Sequence, residues 1–84
     1  MKIERLVEMA NQIGDFFGAE PDPKEAAAGA ASHLRRFWDP RMRRQIIEHY
    51  QRAGGTGLSA VARAAVGLLA GQAEAATPSA ATKS

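Results

Sequence analysis

Five arginines, one tryptophan and one aspartate crowd into the stretch His33–Arg44, HLRRFWDPRMRR. Such side chains suit binding more than bond-making. Every cation in the stretch is an arginine, whose planar guanidinium forks onto carboxylates and stacks on rings where lysine offers a mobile point charge. Arginine and tryptophan are also the types most enriched where partners are held tightly. Arg35, Arg36, Trp38, Asp39, Arg41, Arg43 and Arg44 are therefore the candidate contacts for another macromolecule, and Asp39 is their one acid.

Groups that could do catalysis are sparse. There is no cysteine. His33 and His49 fall on different predicted helices, sixteen residues apart, with no third ligand in view, so both are read as structural. Glu4, Glu8 and Asp15 follow the solvated face of a helix. Gly54-Gly55-Thr56-Gly57 is glycine-rich, but no strand precedes it and no P-loop lysine follows. No catalytic, cofactor-binding or metal residue is assigned, and the chain is not read as an enzyme by itself.

The elements that must carry the arginine stretch are all helical. In the first, Lys2–Phe17, an apolar arc holds Ile3, Leu6, Val7, Ala10, Ile13, Gly14 and Phe17, with Glu4, Glu8, Asn11 and Asp15 opposite. Met9 and Phe16 form a second apolar shoulder, read either as a widened core stripe or as a partner contact. Gly18 and Pro21-Asp22-Pro23 end this helix. Asp22 as N-cap, Pro23 at N1 and Glu25 at N3 start the next with capping-box spacing. Its predicted core face is Ala26, Ala27, Ala30, Leu34 and Phe37, with Arg35 and Arg36 pointing away and Trp38 at its end.

Asp39-Pro40 repeats the Asp-Pro start for a third helix, whose apolar arc is Met42, Ile46, Ile47 and Tyr50. Arg43 falls inside that arc, either snorkelling or paired with a carboxylate. Gly54-Gly55 stops it. Ser59 caps a fourth helix with Val61, Ala65, Leu68 and Leu69 on one side and Gly71 at its end. The expected fold is all-α: a small, mostly antiparallel bundle of three to four helices over residues 1–71, with residues 72–84 as a disordered tail lacking large apolar side chains.

At 84 residues the bundle has a thin core, no disulfide to staple it, and docking as the common remaining source of stability. The formal net charge of +2 hides a division. Residues 1–32 hold three cations against six acids, a net −3, and residues 33–52 hold six arginines against two acids, a net +4. This polarity favours oriented docking on a protein. A nucleic-acid-binding or general protein-interaction module is the alternative; against nucleic acid, the acidic first third would be repelled by phosphates. No signal-peptide pattern and no apolar run of membrane length occur, so a soluble cytoplasmic chain is expected.

MKIERLVEMANQIGDFF, the EPDP turn, HLRRFWDPRMRRQII and GLSAVARAAVGLL together resemble the small delta subunit of cytoplasmic NAD-dependent formate dehydrogenases, over about residues 1–70. The blocks MANQI-x-x-FF and HLRRFWDPRMR are the specific part. The resemblance implies a non-catalytic subunit that contacts the catalytic alpha subunit and supports assembly, including insertion or stability of the pterin cofactor. It also implies that the cofactors lie in the partners: a molybdenum or tungsten bis-pterin and iron-sulfur clusters in alpha, with FMN and further clusters in beta and gamma.

Overall fold

The computed structural model describes residues 2–75. Among them lie four α-helices and no strand: α1 (Ile3–Phe17), α2 (Pro23–Phe37), α3 (Pro40–Ala53) and α4 (Ala60–Ala75). The expected all-α bundle is what the chain forms. α4 continues past Gly71 to Ala75, four residues into the segment read as a tail. A lone helical glycine costs only about 1 kcal/mol against alanine, and the alanines around it sustain the helix. The remainder of that tail lies outside the described residues.

The two Asp-Pro starts operate as local chemistry requires. The Asp22 carboxylate accepts from the Lys24 amide at 3.0 Å, and that of Asp39 accepts from the Met42 amide at 3.0 Å. Each proline sits in the first helical turn, where its missing N–H would have no partner anyway. The reciprocal half of the predicted capping box comes from elsewhere: Glu20 Oε2, not Glu25, accepts from the Asp22 amide, at 3.4 Å. α3 ends on Gly54 in the left-handed conformation, φ 67°, which a side chain with a Cβ adopts only at a cost.

Each helix sends one fully buried large side chain to a common centre: Leu6, Leu34, Ile46 and Val66. The arc predicted for α1 is the buried one, with Leu6, Ala10 and Gly14 inside and Ile3, Val7, Ile13 and Phe17 packed at its margins. α4 is the hub, touching α1, α2 and α3. Its Ala62, Ala65 and Ala70 are buried, as are Ala26, Ala27, Ala30 and Ala31 of α2, so the α2–α4 contact joins two small-residue faces and lets the backbones approach. α2 and α3 barely touch, although only Trp38 and Asp39 separate them. The Asp-Pro corner thus splays the two helices and does not fold them into an antiparallel pair.

Two core assignments need correction. Phe37 is 70% exposed: the buried face of α2 is rotated toward Ala31 and Trp38, leaving Phe37 at its edge. Leu68 is 43% exposed, while Ala62 and Val66 take the inward positions of α4.

Asn11 corrects the reading of the outer face of α1. Its Nδ2 donates to the Gly57 carbonyl at 3.0 Å, and its Oδ1 accepts from the Ser59 amide at 2.8 Å. One amide thereby clasps the turn before α4 onto α1. Ser59 caps α4 as expected, its hydroxyl accepting from the Ala62 amide at 3.3 Å.

Candidate functional site

The arginine stretch wraps the corner between α2 and α3, and the fold sorts its members into two groups. Arg35 and Arg36 end α2 on its outer side, Arg41 and Arg44 begin α3 on its outer side, and all four are exposed. Among the described residues, Arg36, Arg41 and Arg44 make no ion pair. By contrast Arg5 pairs with Glu8 at 3.1 Å and Arg52 with Glu48 at 3.2 Å. Such exposed pairs contribute little to stability. Among the described residues Arg36, Arg41 and Arg44 at the corner lack even such a pair.

The other members are turned inward or engaged. Trp38 is 5% exposed and belongs to the core cluster. Its expected place on the partner-facing surface is therefore corrected: the indole closes the bundle at the end of α2. The Asp39 carboxylate is exposed but occupied in capping α3. Arg43 follows neither predicted reading. Its Nη1 donates to the Arg35 carbonyl at 3.0 Å and to the Trp38 carbonyl at 2.5 Å. A cation thus sits on the last carbonyls of α2, which have no partner within the helix and carry the negative end of its dipole.

This bond ties α3 to the end of α2 where the two helices otherwise barely meet. Arg43→Ala should lower stability by about 1–2 kcal/mol, toward the lower part of the range for hydrogen bonds to charged groups because the site is only partly buried. Arg43→Lys should recover part of the loss, since both bonds come from the single Nη1 and an ammonium nitrogen also carries several N–H donors. Urea midpoints for the three proteins measure the effect; equal midpoints would remove Arg43 from the corner's support.

The second apolar shoulder of α1 divides. Met9 is half-buried against the core, whereas Phe16 is 76% exposed. Phe16 does not stand alone. Its ring meets Phe17 edge-on at 5.0 Å between centroids, Phe17 meets His33 at 5.9 Å, and His33 meets Phe37 at 4.7 Å. This row runs from the end of α1 to the end of α2. Helical periodicity hides the row, because it places Phe37 on the core face of α2 and leaves His33 as a structural residue. The signal was present in the i, i+4 spacing of His33 and Phe37, which puts them on one helix face. His49 is structural in a different way: its Nε2 donates to the Thr56 carbonyl at 2.8 Å, bracing the glycine turn after α3.

No group of three or more His, Cys, Asp or Glu able to hold a metal occurs among the described residues. Among those residues, no helix is long and apolar enough to cross a membrane. The surface of this helical chain offers exposed arginine and aromatic groups of the kinds that recognise protein.

No curated protein and no solved structure matches the chain. One family does, the NADH-dependent formate dehydrogenase delta subunit FdsD, and its match spans residues 5–66. That span runs from the first turn of α1 into α4 and takes in Phe16, the whole arginine corner and the Asn11 clasp. With both sequence blocks inside the matched span, the chain belongs to the FdsD family of formate dehydrogenase delta subunits.

Proposed function

We propose that this delta subunit is a non-catalytic component that docks on the catalytic alpha subunit and supports assembly of the active enzyme, through insertion or stability of its pterin cofactor. The observation that carries the reading is the corner of exposed arginines, three of which have no ion pair among the described residues. An arginine left uncompensated on a small domain favours a partner's carboxylates, where bidentate geometry adds specificity to charge. The redox groups belong to the partners in this reading: molybdenum or tungsten bis-pterin and iron-sulfur clusters in alpha, FMN and more clusters in beta and gamma. The chain's lack of cysteine suits it to a role without a cluster of its own. The assembly takes place in the cytoplasm.

Producing the partner subunits with and without this chain tests the proposal. Activity per protein should fall in its absence, together with bound pterin, while activity per bound pterin stays constant. If pterin content is complete and activity per pterin collapses, the chain contributes to turnover itself and the assembly role is wrong.

A further inference from the structure

The row Phe16–Phe17–His33–Phe37 is the feature of the surface that the arginine corner does not explain. Two of its four rings are mostly in water, Phe16 at 76% and Phe37 at 70%. Isolated exposed apolar side chains are ordinary, but rings in mutual contact form a continuous patch. The row also borders a shallow groove of about 250 Å³ lined by Phe17, Gly29, Ser32, His33, Arg36 and Phe37. Gly29 lets this geometry exist. A Cβ there would lie 2.7 Å from Cδ1 and 2.9 Å from Cε1 of Phe17, so any side chain would force that ring to shift from its place against α2.

The charge of the groove is one-sided. Arg36 lines it, no carboxylate does, and Arg36 makes no ion pair among the described residues. A cation beside exposed aromatic rings calls for an occupant that brings both an apolar side chain and a carboxylate. We infer that the groove and its aromatic row are a second docking surface, distinct from the α3 side of the arginine corner. Its occupant is a segment of the catalytic partner subunit with an aliphatic or aromatic side chain flanked by Asp or Glu. The apolar side chain packs on Phe37 and Phe16, and the acid forks onto Arg36. Neighbouring contacts shield that pair from water, which strengthens it relative to an exposed one.

This inference rests on the subunit reading above, and its test separates the two. The full-length tagged chain is co-produced with the formate dehydrogenase subunits, and a photo-cross-linking phenylalanine analogue replaces Phe37. Cross-linked peptides from the purified complex should come from the catalytic subunit and contain an acid beside an apolar residue. In the same complex Phe37→Ser and Arg36→Gln should each weaken association at least about 10-fold. Both residues are exposed, and Arg36→Gln removes the pairing charge without placing an anion at the end of α2, so its melting temperature should stay close to that of the original chain. Cross-links to a second copy of this chain, or unchanged affinity in both variants, would overturn the second surface while leaving the subunit role intact. Failure of the unaltered chain to join the complex would overturn the subunit role, and the inference with it.

Discussion

Trp38→Ala should cost the chain about 3–5 kcal/mol of stability, the range for removing a large aromatic side chain from a packed interior. The ring is 5% exposed and sits in the core cluster with Leu6, Leu34, Ile46 and Val66. It is placed where α2 stops, so no following turn of that helix can fill the space it leaves. For a domain of this size such a loss is a large part of the whole, since native proteins hold only about 5–15 kcal/mol in total. Urea unfolding followed by far-UV circular dichroism should show a transition shifted to low denaturant or already complete in buffer. Trp38 is the only tryptophan, so fluorescence of the unaltered chain reports the same event, with emission shifting red on unfolding. A variant that unfolds at the original midpoint yet fails to join the formate dehydrogenase complex would reverse the assignment and return Trp38 to the interface.

Asn11→Ala should be the next most damaging change, at about 1–3 kcal/mol. It leaves the Ser59 amide and the Gly57 carbonyl without the partners that Asn11 supplies, and an orphaned, partly buried polar group costs that much. Asn11→Asp should recover part of the loss, because a carboxylate still accepts from the Ser59 amide. Recovery should be incomplete, because the carboxylate cannot donate to Gly57 and places its charge against that carbonyl. Amide exchange gives a local reading: the Ser59 proton should exchange faster in Asn11→Ala. A change in stability below about 0.5 kcal/mol with unaltered exchange at Ser59 would show that the turn holds α4 in place without the clasp.

Together these two positions separate folding from recognition. The residues expected to fail first on folding, Trp38 and Asn11, are buried or clasped. Those expected to affect docking, Arg36, Arg41, Arg44 and Phe37, are exposed. Binding defects in the second group can therefore be measured on a chain that still folds.

Local sequence determined the helices because their signals are local. Asp22-Pro23 and Asp39-Pro40 start helices by a side chain bonding two or three residues ahead, and Gly54 ends one by its own backbone freedom. The inward face of α1 was legible for the same reason: a run of apolar residues at helical spacing has only one side to bury. The two blocks that carry the family resemblance lie within the residues the family match spans. The chain's character as a delta subunit was therefore readable from type and order alone.

Tertiary structure decided what periodicity leaves ambiguous. On α2, alanines and bulky residues form a broad arc, and only packing against the other helices settles that Ala31 and Trp38 go in while Phe37 stays out. Arg43 lies within an apolar arc by sequence, yet its partners are carbonyls five and eight residues back, brought into reach by the turn at Asp39-Pro40. Asn11 finds its partners 46 and 48 residues away, a distance along the chain over which no local pattern carries information. The aromatic row likewise depends on Gly29 admitting Phe17 from another helix. Helix starts and stops are set by bonds a few residues long and so are written in the sequence. Which side chains of a helix end in water depends on where the other helices stand.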